Sequence, residues 1–280
     1  METFERDGLV FDVLDTGPPD GPVVVLLHGF PQFADSWAQI TPALNAQGYR
    51  CLAPNQRGYS PGAAPSGRRS YRTSELVTDV LALVDASGAR KVHLVGHDWG
   101  AAVAWAFALR HRNRLLSLTA LSVPHPGAML RAMTRSKQFF SSWYILLFQL
   151  PLLPELLLLG RGERPRGLAM MLRKTGLSPE HIERDTATMV TRRALTPAIN
   201  WYRAMAFSTK SAVGKAKIPT LFVWSDGDSA IRRETAEACR DWVSGEFRYE
   251  VLHGVPHWIP DEAPDAVVPM ILEHLDTHPA

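Results

Sequence analysis

Short apolar runs recur along the chain at Val23 to Leu27, Tyr49 to Ala53, Lys91 to Val95, Leu116 to Val123, Thr220 to Trp224 and Arg248 to Leu252. Their content of Val and Leu suits strands buried on both faces. Between most of them lie segments with helical spacing: Ser36 to Ala46, Ser74 to Ala86, Ala101 to Arg110, Arg232 to Val243 and Asp265 to Leu275. Strand alternating with helix predicts an α/β fold, a mostly parallel twisted sheet with helices on both faces. One stretch breaks the alternation. From Pro126 to Lys217 there is no strand pattern, only helical patterns rich in Leu, Met, Trp and Arg. The pattern therefore predicts a core domain of residues 1–125 and 218–280 and an inserted helical cap, or lid, of residues 126–217.

The most apolar part of that insert, Ser141 to Leu159, is long enough to raise a membrane span. Gln149, Pro151, Pro154 and Glu155 interrupt it, whereas a span wants about 20 mostly apolar residues. It reads as two short helices lining a cavity, with no membrane span. The N-terminus carries acids where a signal peptide would carry Lys or Arg, and no apolar segment follows it. The two cysteines, Cys51 and Cys239, are too few for a disulfide scaffold. Together these features point to a cytoplasmic protein. Across 280 residues, 30 Lys and Arg face 28 Asp and Glu. A net charge of +2 lacks the concentrated basic field that nucleic acid requires.

Candidate chemistry lies in three places. The run Lys91 to Gly100 carries an apolar strand into Gly96-His97-Asp98-Trp99-Gly100 and on into a helix. Small residues on both sides of a central nucleophile permit the tight strand-to-helix turn called a nucleophile elbow. Here the central residue is Asp98, a carboxylate already ionised at neutral pH, which needs no base to attack. The helix that follows presents N–H groups and a positive dipole end to it. A second element, His28-Gly29-Phe30-Pro31, follows the strand Val23 to Leu27, where an α/β-hydrolase takes half of its oxyanion hole. The N–H groups of Phe30 and Trp99 would form that pair of donors. A third element is Val223 to Asp228 after one strand and His253 to Trp258 after the next. Nucleophile, acid and His in that chain order is the α/β-hydrolase order. An acid could also follow the strand ending at Val123, but Pro124-His125-Pro126-Gly127 holds no carboxylate. The acid is then Asp226 or Asp228, the base His257, with His253 as its rival.

The chain resembles α/β-hydrolases with an aspartate nucleophile, and most closely the epoxide hydrolases, over nearly its full length. The resemblance rests on His28-Gly29-Phe30-Pro31, Gln56-Arg57-Gly58-Tyr59-Ser60, Gly96-His97-Asp98-Trp99-Gly100 and His257-Trp258. It implies a cis Phe30–Pro31 bond and places the acid at Asp228. It also bears on the two tyrosines of the insert. Tyr202, in Asn200-Trp201-Tyr202-Arg203, is similar to the family's second ring-opening tyrosine, and Tyr144, ahead of Phe148-Gln149-Leu150-Pro151, aligns with the first. A phenol with a pKa near ~10 stays neutral and can polarise, then protonate, an epoxide oxygen. Three departures from the family pattern stand out: Asn55 where relatives carry Asp, Ala101 where a second Gly often follows Gly100, and Ser225 where Gly usually follows Trp224.

The implied function is an epoxide hydrolase that forms a vicinal diol through an ester on Asp98, with no metal or cofactor. The expected partners are a small hydrophobic epoxide and water, the chain being a monomer or a homodimer. His28, Pro31, Trp143, Phe148, Trp201 and Trp258 are expected to touch substrate. The apolar set Phe139, Phe140, Trp143, Leu146, Leu147, Phe148, Leu150, Met170 and Met171 points to an apolar pocket. Two alternatives use the same residues differently. A haloalkane or haloacid dehalogenase shares the Asp, His and acid but releases halide. A non-catalytic binding protein of this fold needs the pocket but no water activation.

Overall fold

The computed structural model describes residues 1–136, 138–160, 165–208 and 214–280. One sheet has eight strands: β1 (Thr3–Arg6), β2 (Leu9–Thr16), β3 (Val23–Leu27), β4 (Arg50–Pro54), β5 (Val92–His97), β6 (Leu115–Leu121), β7 (Thr220–Ser225) and β8 (Phe247–Leu252). Their spatial order is β1-β2-β4-β3-β5-β6-β7-β8. β1 and β2 form an antiparallel hairpin, β2 runs antiparallel to β4, and every pairing from β4 to β8 is parallel. The hairpin has no counterpart among the sequence-derived strands. Its buried Phe4, Phe11 and Val13 are spaced among charged residues rather than gathered in a run.

The strand period of two divides the core into two layers. In β3, Val23, Val25 and Leu27 enter a layer shared with Leu76, Val80 and Leu83 of helix α2 (Thr73–Ala86) and Val103 and Phe107 of α3 (Trp99–Arg110). Val24 and Leu26 enter the opposite layer, with Leu44 of α1 (Thr41–Ala46) and with Ile271 and Leu275 near the C-terminus. The predicted helix over Ser36 to Ala46 is in fact a 3₁₀ turn, Ala34–Trp37, followed by α1, with a proline in the first turn of α1. The first turn is where a helix tolerates proline best.

Between β6 and β7 the described residues hold helices and no strand: α4 (Pro126–Arg135), α5 (Gln138–Ser141), α6 (Tyr144–Phe148), α7 (Leu153–Leu159), α8 (Arg166–Lys174), α9 (Pro179–Thr191) and α10 (Leu195–Ala204). Residues 137, 161–164 and 209–213 of the expected insert lie outside the described residues. This stretch leaves the sheet beyond the C-terminal end of β6, the edge where β5 also ends, since His97 pairs with Leu121. The remaining helices are α11 (Arg233–Glu237), α12 (Ile259–Glu262) and α13 (Pro264–Asp276). The predicted helix Arg232 to Val243 is divided between α11 and a 3₁₀ stretch, Ala238–Trp242.

Buried charge ties the helical stretch to the sheet domain. Arg184 on α9 donates to both carboxylate oxygens of Asp261 on α12, at 2.9 and 3.0 Å, and its Nε donates to Asp185 at 2.8 Å. Burial pushes the Asp185 carboxyl up to about 7 in spite of Arg184. Ser141 to Leu159 does hold two short helices, α6 and α7, but α7 buries only Pro154 and Leu158. The α7 residues Leu153, Leu156 and Leu157 are exposed, which corrects the expectation that both helices line a cavity. Among the described residues no helix is long and apolar enough to cross a membrane. Cys51 and Cys239 are both free and buried.

Candidate active site

Asp98 sits between the end of β5 and the start of α3 with φ 51° and ψ −119°, a conformation L-residues rarely adopt. Steric room for it comes from glycine. A Cβ on Gly96 would lie 2.4 Å from the Gly100 carbonyl oxygen, and a Cβ on Gly100 2.0 Å from that of Leu27. The strand and helix can meet this closely only without side chains at those two positions. Across the elbow, the Phe30 N–H donates to Asp98 Oδ1 at 2.8 Å. The Phe30–Pro31 bond is cis, as the resemblance implies.

His257 lies on the other side of the carboxylate. Its Nε2 is 3.3 Å from Asp98 Oδ2 and its Nδ1 is 2.7 Å from Asp228 Oδ2. Asp228 is itself fixed, since its Oδ1 accepts from the Ala230 and Ile231 N–H groups at 2.7 and 3.0 Å. His253 instead stands exposed, 2.8 Å from Asp226. The two His–Asp pairs are therefore separate, and only His257 with Asp228 reaches Asp98. Burial alone would lower the His257 pKa, but the charges of Asp228 and Asp98 overcome it and push it up to about 10. Burial would likewise raise the Asp98 pKa, and His257 holds it below the usual carboxylate range.

The aromatic residues close the opposite side. Tyr202 on α10 packs edge-on against Trp99, Phe148 and Phe30, with ring centroids at 5.0, 4.9 and 5.5 Å. Tyr144 on α6 lies 6.0 Å from the Tyr202 ring. Burial, reinforced by the Asp98 charge, raises both phenol pKa values, so both rings remain neutral donors. A fixed carboxylate, an imidazole beside it and two neutral phenols across from it can attack an electrophilic carbon, protonate its leaving oxygen and later deliver water.

A model of the alpha/beta hydrolase fold matches residues 22–264. The chain belongs to the α/β-hydrolase fold family. It is 33% identical over 283 residues to Epoxide hydrolase 3 of Xenopus tropicalis, covering 97% of this chain and 76% of that one. It is 32% identical over 311 residues to Epoxide hydrolase A of Mycobacterium tuberculosis, covering 97% and 95%. A solved structure of an epoxide hydrolase from metagenomes of hot environments matches at TM-score 0.84 and 28% identity, over 97% of each chain. Within the family, then, this α/β-hydrolase is epoxide hydrolase-like.

Several expected substrate contacts are placed elsewhere in this α/β-hydrolase. Trp143 is 60% exposed and turned to solvent, because α6 gives its inner face to Tyr144 and Phe148. Phe139, Phe140, Leu146, Leu150 and Met170 are exposed too, so the apolar character of the site rests on Phe30, Trp99 and Phe148 instead. His28 is buried beneath the loop, its Nε2 accepting from the Gln56 N–H at 3.2 Å and its Nδ1 facing the Gly29 carbonyl at 3.0 Å. Both nitrogens are thus engaged by the main chain, and the ring braces the Phe30 loop. Pro31 is buried in that same loop. Trp201 donates to the Arg57 carbonyl at 2.9 Å and Trp258 to Thr175 at 3.1 Å, which leaves their ring faces, not their N–H groups, for the site.

The departures from the family pattern are accommodated. Asn55 Oδ1 accepts from the Ala34 N–H at 2.9 Å. Ala101 is buried against the core. Ser225 Oγ donates to the Val255 carbonyl and accepts from Gly227, stitching the acid loop to the His257 loop. Sequence reading missed the residues that brace His257. Its carbonyl accepts from Ser122 Oγ at 2.7 Å and faces His97 Nε2 at 2.9 Å. His97 Nδ1 is 3.0 Å from Gln32 Oε1, and Gln32 Nε2 donates to Asp261. Burial lowers the His97 pKa to about 4, so the ring is neutral and its single N–H serves one of these two acceptors at a time. His97 lies within the Gly96 to Gly100 motif and Gln32 directly follows Pro31, a usable signal; Ser122 and Asp261 had none.

Proposed function

We propose that the protein is an epoxide hydrolase that opens an apolar epoxide to a vicinal diol in two steps. The observation that carries the reading is the gathering of Asp98, bonded to the Phe30 N–H and His257, with Tyr202, whose ring packs against Phe30 and Trp99, and with Tyr144 beside it. Residues 126–217 act as the cap that supplies the phenols, and residues 1–125 and 218–280 supply the rest. Asp98 Oδ1 is held by Phe30, so Oδ2 is the attacking atom. It bonds to an epoxide carbon, the carbon–oxygen bond breaks, and the departing oxygen takes a proton from a phenol. The product is a hydroxyalkyl ester whose carbonyl oxygen is Oδ1.

Ester formation also changes the base. In the resting enzyme His257 keeps its proton partly because Asp98 is charged. Esterification removes that charge, the imidazole sheds its proton, and this proton balances the one the phenol gave up. His257, oriented by Asp228, then takes a proton from water as the oxygen adds to the ester carbon. The Phe30 and Trp99 N–H groups receive the oxyanion, each worth about 10²–10³ in rate for such a hole. Collapse releases the diol and restores Asp98.

His257→Gln should complete the first step and stall at the second. Intact-mass spectrometry after incubation with a styrene-type epoxide should show the protein heavier by one substrate; an unmodified mass for an epoxide that the wild type hydrolyses would refute the scheme. Halide release from halogenated substrates without diol formation would assign the site to a dehalogenase.

A further inference from the structure

Residues 138–160 contain a single charged residue, Glu155, whose side chain is 12% exposed and pairs with the buried Arg203 at 2.8 Å. Within this stretch Phe140, Trp143, Leu146, Leu152, Leu156 and Leu157 are each more than half exposed. Soluble surfaces seldom leave so much apolar area uncovered in one place. The charge distribution is equally uneven. Residues 126–217 carry 15 of the 30 Lys and Arg but only 5 of the 28 Asp and Glu. Arg131, which also pairs with Asp241 at 3.0 Å, precedes the apolar stretch, and Arg166, Arg173 and Lys174 follow it. The rest of the chain is net acidic, so the overall charge of +2 conceals a basic insert on an acidic body.

An apolar surface without free charge, set among cations, matches the interface of a bilayer that contains anionic lipid. We propose that α5, α6 and α7 form a peripheral docking surface for an anionic lipid bilayer, the apolar side chains entering the headgroup boundary and the flanking Lys and Arg meeting lipid phosphates. Charge complementarity decides between occupants. A second copy seated face to face would set two basic inserts against each other, like charge facing like, whereas an anionic leaflet attracts both features. The same helix joins the surface to the site, because α6 turns Leu146 outward while Phe148 packs against Phe30 and Tyr202.

Co-sedimentation of the full chain with vesicles tests this without reference to substrate, so its outcome is independent of the epoxide reading. Vesicles of phosphatidylcholine and phosphatidylglycerol in equal parts should pellet the protein at low salt, and phosphatidylcholine alone should not. The variant Phe140→Ser with Leu152→Ser and Leu156→Ser should bind the anionic vesicles at least about tenfold more weakly. All three side chains are exposed, and an unchanged circular dichroism melt verifies the fold. Failure of the wild type to pellet, or equal binding by the triple variant, overturns the proposal. So does a wild-type dimer in light scattering that the triple variant converts to monomer, since a second copy would then cover the face.

Discussion

At the residue scale the site depends on where His257 holds its proton. The native state keeps it up to about pH 10, and the unfolded chain releases it near ~6.5. Stability from this group is therefore complete below ~6.5 and is lost as pH rises towards about 10, by at most ~1.4 kcal/mol per pH unit. Urea unfolding at pH 7 and pH 9 should show a larger loss for wild type than for His257→Gln; equal losses would show that His257 holds no extra proton. The tyrosines permit a second test. Adding Tyr144→Phe and Tyr202→Phe to His257→Gln should abolish the mass increase, because the departing oxygen then has no donor, and persistence of the ester would remove both phenols from the mechanism. Asp98, His257 and the phenols were legible because each stands in a run whose neighbours have a local job: glycines for the elbow, aromatic residues for the site wall. Asp226 and Asp228 were not separable by spacing, since both follow β7 within four residues of Trp224. Only the fold of the loop sends one to His257 and the other to His253.

At the element scale the interior strands β3 to β7 were legible because burial on both faces demands apolar runs. The hairpin β1–β2 was not, because an edge has a solvated side and mixes polar residues into the pattern. The same logic accounts for the misplaced apolar residues of α5 to α7. Helical spacing reports that one side is apolar, without saying whether that side meets the site or solvent. What seats the neighbouring helix α9 is polar and distant in sequence: Arg184 of α9 against Asp261 of α12, with Asp185 beside it. Arg184→Met would leave Asp261 and Asp185 buried without their cation, which should cost about 2–4 kcal/mol. A matching fall in melting temperature, partly recovered by adding Asp261→Asn, is the expected result; an unchanged melt would show that the pair does not hold the helices.

At the scale of the whole molecule, one hydrophobic layer runs through both parts of the chain. It includes Val25, Leu94 and Phe107 of the sheet domain together with Phe148, Leu172, Ile199 and Tyr202 of the helical stretch. Heating should therefore unfold both parts in one transition, with tryptophan fluorescence and far-ultraviolet circular dichroism coincident; a separate early loss of fluorescence would show that the helical stretch melts alone. The sequence by itself determined the alternation of strand and helix, the glycine-flanked turn at Asp98, the chain order of Asp98, the carboxylates after β7 and His257, and the excess of cations between β6 and β7. These are local or compositional properties, set by backbone sterics, periodicity and counting. The tertiary structure alone decided that Gln32 and His97 brace His257, that His28 serves the loop, and that Trp143 faces water. Each of those outcomes depends on which distant side chains share a few ångströms, and no local pattern carries that information.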